Sequence, residues 1–253
     1  MDKFRHTGKI AIVTGAGNGI GRATVIRLAR EDAAVIGCDV NEAALAETRA
    51  VLEQEGLNAQ LLVADVTKQS DIDTLVAEVG PRIDILANVA GIMDHFLPLG
   101  EMDDATWDRV IAVNLTGPMR LSRAVIPVML ASGGGSIVTV ASKASVGAGA
   151  SGTAYTSSKH GVIGLVKSIA YFYGPKGIRS NAVLPGAVAT AIGATAAPQT
   201  MWAMERAQLS MATMPPHPAN PDQIASLISW LSSDEASNVN GATVLDDGGW
   251  ASA

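Results

Sequence analysis

The sequence predicts an α/β fold, a doubly wound parallel sheet carried by a single domain over residues 1–253. Three observations lead there. Short apolar runs alternate with helix-length amphipathic stretches along the chain. The runs are apolar throughout, as expected of strands buried on both faces. Helical connections between such strands require right-handed crossovers and hence parallel pairing. A length of 253 residues suits one large α/β unit, and neither a repeat of fixed period nor a linker-like break divides it.

In chain order, a strand is expected at Ile10–Thr14, closed by a glycine turn that opens a helix at Gly19–Glu31. A second strand, Ala34–Asp39, precedes a helix at Glu42–Glu55. A third, Gln60–Ala64, precedes one at Asp71–Val79. The fourth, Ile83–Asn88, leads to one long helix, Asp104–Leu130. Pro118 lies inside that helix and has no N–H to give the Asn114 carbonyl four residues earlier, so a kink and a freed carbonyl are expected. The fifth strand, Ser136–Ala141, is followed by a helix at Tyr155–Phe172, and the sixth is Ile178–Leu184. The Pro/Gly/Ala-rich stretch between Pro185 and Pro221 reads as an excursion at about 187–220, a candidate lid. Asn220-Pro221-Asp222-Gln223 is a strong helix start, with a capping Asn, Pro at the first helical position and Gln three residues after the cap. The helix Pro221–Leu231 then precedes a last strand at Thr243–Asp246.

Composition narrows the function. Lys and Arg number 18 against 24 Asp and Glu, a net charge of −6, so nucleic acid and anionic membrane are poor electrostatic partners. No run reaches the ~18 apolar residues of a spanning helix, and the apolar stretch after the N-terminus ends too soon for a signal peptide. A cytoplasmic protein is expected. The single cysteine, Cys38, excludes an internal disulfide framework and reads as a packed strand residue. Four histidines without metal-ligand spacing make a catalytic metal an unattractive reading.

Two motifs carry chemistry. Thr14-Gly15-Ala16-Gly17-Asn18-Gly19-Ile20-Gly21 joins a strand to a helix. Its glycines permit a sharp turn, and the free N–H groups of the helix start favour a pyrophosphate. Asp39 ends the second strand, where a carboxylate can accept from ribose hydroxyls and repel a 2′-phosphate; Asn18, Val40 and Asn41 offer no positive charge. NAD is therefore the expected cofactor. The second motif is Tyr155-Thr156-Ser157-Ser158-Lys159, which sets a phenol and an ammonium on one helix face. The ammonium is expected to lower the phenol pKa toward a working range. Ser142 lies just past the fifth strand, at the carboxyl edge where such sheets bind ligands.

With these residues, the chain resembles the short-chain dehydrogenase/reductase family, in the branch of about 250 residues with one Rossmann domain. The likeness runs from Thr14-Gly15 through Asp65-Val66, Asn88-Val89-Ala90-Gly91, Asn114, Ser142, Tyr155 with Lys159, and Pro185-Gly186 to Asp247-Gly248-Gly249. Val89 departs from it, since the family often has a second Asn there, and local hydrogen bonding near the cofactor is expected to soften. The resemblance implies an adenine site at Asp65 and Val66 and a path to the nicotinamide ribose at Asn88, Ala90 and Gly91. It implies further contacts from Pro185, Gly186, Val188 and Thr190. It implies Ser142 as the group binding the substrate oxygen and Tyr155 as proton donor or acceptor. Lys159 would hold the ribose and tune Tyr155, and Asn114 would offer its carbonyl to a relaying water.

Substrate choice is expected from loops above the sheet edge: Met93, Asp94, His95 and Phe96, then Val146 to Ser151, then the excursion with Met201 and Trp202. Flexible apolar groups there suit a medium or bulky hydrophobic ketone or alcohol. Trp250 is expected to pack at a subunit boundary, and the resemblance implies a homotetramer. The leading expectation is hydride transfer between NAD(H) and a secondary alcohol or ketone. A 3-oxoacyl-carrier-protein-type reductase and a catalytically silent nucleotide-binding protein are the alternatives.

Overall fold

The computed structural model describes residues 4–192 and 198–252. Seven strands form one sheet: β1 Ile10–Thr14, β2 Ala34–Asp39, β3 Gln60–Val63, β4 Ile85–Asn88, β5 Gly135–Val140, β6 Ile178–Pro185 and β7 Thr243–Asp246. Their order is β3-β2-β1-β4-β5-β6-β7, every pair parallel. The order reverses between β1 and β4, which opens a crevice beyond their carboxyl ends.

The helices are α1 Gly19–Arg30, α2 Glu42–Gln54, α3 Gln69–Val79, α4 Asp104–Ile111, α5 Gly117–Ala131, α6 Thr153–Tyr173, α7 Met201–Met211 and α8 Pro221–Ser232. They cover both faces. Because successive strand side chains point to opposite sides, Ala11 and Val13 meet Val25 and Leu28 of α1 and Ile224 and Ile228 of α8. Ile12 and Cys38 instead join Leu121 and Met129 of α5 and Ile169 of α6. Burying that apolar surface supplies the main driving force for the fold. The cap of α8 is as expected: Asn220 Oδ1 accepts from the Asp222 N–H at 3.0 Å, and Gln223 Oε1 accepts from the Asn220 N–H at 2.8 Å.

Two expectations about the elements are corrected. The single helix Asp104–Leu130 is two helices joined by a π turn, Ala112–Thr116. The Gly117 N–H reaches back five residues to the Ala112 carbonyl, and Pro118, at the start of α5, has no N–H with which to resume the four-residue ladder there. The excursion contains a helix, α7, that apolar periodicity does not reveal. Its buried face is small (Ala203 and Ala207), whereas Met201, Trp202, Met204 and Leu209 are exposed. Its neck is closed by a parallel bridge between Val188 and Ala219. Residues 193–197 of the excursion lie outside the described residues.

Trp250 packs within its own chain. It is buried, its indole N–H donates to the Ser210 carbonyl at 2.9 Å, and Lys143 Nζ lies 4.7 Å from its ring centroid. Among the described residues, no helix is long and apolar enough to cross a membrane.

Candidate active site

An open crevice of about 430 Å³ runs across the carboxyl ends of the strands. One end is the glycine turn, where Gly15 (φ 71°) and Gly19 (φ 51°) adopt the left-handed conformation that disfavours any Cβ. Thr14 Oγ1 accepts from the Val89 and Ala90 N–H groups at 2.9 and 3.0 Å, so the turn is stitched to the segment after β4. That bond limits any softening at Val89, because both amides are held by a residue outside the departing motif. The Asn18 side chain makes no capping bond to α1. The first-turn N–H groups therefore have no side-chain acceptor of the usual kind, as a phosphate-binding helix start requires. A Cβ on Gly19 would lie 2.7 Å from Thr190 Cγ2, which places Thr190 directly over that helix start.

Asp39 faces the same turn. Its Oδ2 accepts from the Gly17 N–H at 3.0 Å and its Oδ1 from the Asn41 N–H at 2.9 Å. Those two bonds orient the carboxylate at the crevice edge. Gly15, Asn18, Gly19, Ile20, Gly21, Asp39, Asp65 and Val66 all line this half. Ala90, Gly91, Pro185, Gly186, Val188 and Thr190 line the continuation. Of the described lining residues only Lys159, at the far end, is basic. The glycine cradle, the uncapped helix start and the oriented carboxylate together fit a dinucleotide.

Asn88 is a correction. It is buried and not among the crevice-lining residues; its amide donates to Ser122 Oγ at 3.3 Å and Thr139 Oγ1 at 3.4 Å, tying β4 to α5 and β5. Asn114 likewise stands behind the wall. Its side chain accepts from the Ile92 N–H and donates to the Ile92 carbonyl, both at 2.9 Å, and donates to Ser158 Oγ at 3.2 Å. It shapes the crevice by fixing Ile92, which does line it.

At the other end Ser142, Tyr155 and Lys159 converge on the crevice. Lys159 Nζ lies 5.5 Å from the Tyr155 ring centroid and donates to the Val140 carbonyl at 2.9 Å. Both side chains are buried. The expected lowering of the phenol is reversed: burial pushes Tyr155 up to about 12, against a lowering hydrogen bond from Ser142, with the Asp94 charge adding to the rise. The main cause is desolvation of the phenol, and the ammonium sits toward the ring face. Burial lowers Lys159 to about 8.

The Lys159 shift has a stability consequence. A lysine whose folded pKa lies below its unfolded value weakens the fold when protonated. That penalty is complete below about pH 8 and is relieved as pH rises toward 10.5. Lys159→Met is therefore expected to stabilise the protein at pH 7 by up to about 3 kcal/mol, less whatever the unpartnered Val140 carbonyl costs. Urea unfolding at pH 7 and pH 10 checks this; a gain that fails to shrink at the higher pH contradicts it.

The expected substrate residues disperse. Met93 packs in an apolar cluster with Val110, Ala144, Ala154 and Tyr155. His95 is half-buried with a left-handed backbone (φ 54°), Val146 is exposed, and Met201 is exposed on α7. Trp202 lines a second cavity of about 410 Å³ with Phe96 and Arg206. None of these five lines the main crevice. Ile92, Val113 and Ala141 line it instead, with Ile192 from the expected excursion; adjacency to the Gly91, Asn114 and Ser142 positions is the signal that could have found the first three. Among the described residues no group of three His, Cys, Asp or Glu could hold a metal.

Comparison with known proteins agrees with this geometry. Residues 15–251 match the family model described as Enoyl-(Acyl carrier protein) reductase. The 3beta-hydroxysteroid dehydrogenase 2 of Eggerthella lenta is 36% identical over 258 residues, covering 99% of both chains. Short-chain dehydrogenase/reductase cdmF of Talaromyces verruculosus is 39% identical over 251 residues, 95% of this chain and 96% of its own. A solved structure described as an NAD(P) dependent gluconate 5-dehydrogenase from Beutenbergia cavernae carries NADP at low occupancy. It is similar with a TM-score of 0.88 and 35% identity, covering 99% of this chain and 100% of its own.

Proposed function

The chain belongs to the short-chain dehydrogenase/reductase family of oxidoreductases, and on that premise we propose that it moves a hydride between NAD(H) and a secondary alcohol or ketone of medium or bulky hydrophobic character. The observation that carries this reading is the convergence of Ser142, Tyr155 and Lys159 at one end of a crevice whose other end is the glycine turn and Asp39. When bound, the nicotinamide supplies or accepts the hydride; the residues do the rest.

In reduction, the Ser142 hydroxyl donates a hydrogen bond to the substrate carbonyl oxygen and holds it beside the Tyr155 hydroxyl. As negative charge builds on that oxygen, Tyr155 delivers its proton, and the Lys159 charge then favours the phenolate left behind. Oxidation runs through the same groups in reverse, with Tyr155 as base. A phenol held protonated by burial starts in the form that reduction needs. Lys159 and the segment Ala90–Gly91 would hold the nicotinamide ribose, and Pro185, Gly186 and Val188 the ring. The apolar wall from Ile92, Val113 and Ile192 supports a hydrophobic substrate. Absorbance of NADH against ketones and alcohols graded by size tests the reading; tight NADH binding without turnover on any of them would defeat it.

Asp39 supports NAD over NADP. Its oriented carboxylate can accept from both ribose hydroxyls, and no described lining residue at that end could neutralise a 2′-phosphate. Asp39→Ala is expected to lower kcat/KM for NADH by roughly 10- to 100-fold, the value of one charge-assisted bond, and to improve NADPH use. Wild-type protein that works equally well with NADPH contradicts the assignment. The description of the matching family model favours a second reading, reduction of a carrier-linked acyl group. Against it, the exposed side chains of α7 are mainly apolar, whereas an acidic carrier calls for a basic face.

A further inference from the structure

Asp94 lies in the connection between β4 and α4, and its side chain is completely buried. Both carboxylate oxygens are engaged by the start of α6. Oδ1 accepts from Ser151 Oγ at 2.9 Å and the Gly152 N–H at 3.0 Å, and Oδ2 accepts from the Tyr155 N–H at 2.8 Å. First-turn N–H groups have no partner within their own helix, and Gly152, the residue before α6, offers no side chain to cap them. A residue distant in sequence therefore caps the helix that carries Tyr155 and Lys159.

The fit is close and strained. A Cβ on Gly152 would lie 2.7 Å from Asp94 Oδ2 and 2.4 Å from the Leu97 nitrogen. Immediately after Asp94, His95 (φ 54°) and Phe96 (φ 55°) both adopt the left-handed conformation that residues with a Cβ resist. Such strain persists only where the surroundings over-determine it. Here the Leu97 N–H donates to the Asp94 carbonyl at 3.1 Å, and the Thr153 N–H donates to the Leu97 carbonyl at 3.0 Å. The segment 94–97 and the first turn of α6 form one clasp with the Asp94 carboxylate at its centre.

We propose that Asp94 is a positioning residue for the proton-transfer couple: by fixing where α6 begins, it fixes where the Tyr155 hydroxyl stands against Ser142. The proposal rests on Tyr155 being the proton carrier. Only a carboxylate serves, because the donors converge on both oxygens and an amide would turn its NH₂ toward one of them. The charge acts with burial to keep the phenol protonated. The other charged group against Tyr155 is Lys159 on the same helix; Ser142, after β5, faces it as a neutral hydroxyl, and the neighbours Val110, Trp107 and Ala144 are uncharged.

The test compares Asp94→Asn with Ser151→Ala. Asp94→Asn is expected to lower kcat about 10-fold or more through misplacement of the phenol. NADH affinity should be unchanged, and the limb of the kcat/KM pH profile set by Tyr155 should move down by roughly half a pH unit. Ser151→Ala removes one of the three bonds to the carboxylate but keeps its charge and its bond to the Tyr155 amide. It should lower Tm and shift kcat and the pH limb by less than Asp94→Asn does. In the wild-type protein, the Tyr155 amide should be protected from hydrogen exchange although it lies in a first turn. An unmoved limb and unchanged kcat in Asp94→Asn, the same kinetics in Ser151→Ala, or a freely exchanging Tyr155 amide would each overturn the proposal. Tyr155→Phe separately decides the reading beneath it. Lost turnover there with an unmoved limb in Asp94→Asn sinks the positioning role alone, and retained turnover sinks both.

Discussion

Tyr155→Phe is expected to lose turnover by about 10²- to 10⁴-fold, the range that a positioned acid or base contributes, and to keep its affinity for NADH. The side chain is buried at one end of the crevice beside Ser142, so removing one oxygen leaves the ring packing with Val110, Ala144 and Ala154 in place. The fold and the glycine-turn end should be untouched. Fluorescence titration with NADH alongside steady-state rates separates the two effects. A variant that turns over at a rate near wild type would mean that another group carries the proton.

Gly21→Ala should be the most damaging single methyl group in the nucleotide half. A Cβ at that position would sit 1.9 Å from the Gly15 carbonyl oxygen and 2.5 Å from its carbon. Both are backbone atoms of the turn itself, so no flexible side chain can give way. The helix start must move off the turn, or the turn must open, and both carry the proposed phosphate site. A loss of about 3 kcal/mol or more in stability is expected, together with weakened dinucleotide binding. Urea unfolding and NADH titration check it. Gly56→Ala is a useful contrast, because nothing lies within 4 Å of its Cβ position and only its left-handed φ of 66° resists the change.

The strands and most helix limits were legible because their cause is local. A run such as Ile10–Val13 is apolar on every residue, and Asn220-Pro221-Asp222-Gln223 states a helix start in four letters. The linear order of Gly15, Asp39, Ser142, Tyr155 and Lys159 pointed to chemistry because those residue types have few other reasons to occur at those places along a parallel α/β chain. What escaped had non-local causes. Helix α7 buries two alanines and exposes its large side chains, the inverse of the usual signal. The π turn before Pro118 carries Asn114, whose partners Ile92 and Ser158 lie elsewhere in the chain. Trp250 found its partner, Ser210, in the excursion.

The sequence by itself determined the parallel layered fold, the nucleotide turn, the acid at the end of β2 and the Ser, Tyr and Lys set, because strand burial, glycine geometry and helix spacing act over a few residues. Only the tertiary structure decided that Asn88 and Asn114 brace the wall from behind, that burial raises the Tyr155 phenol, and that Asp94 holds the start of α6. Each of these depends on which groups are brought together from distant parts of the chain and on how much water is left between them.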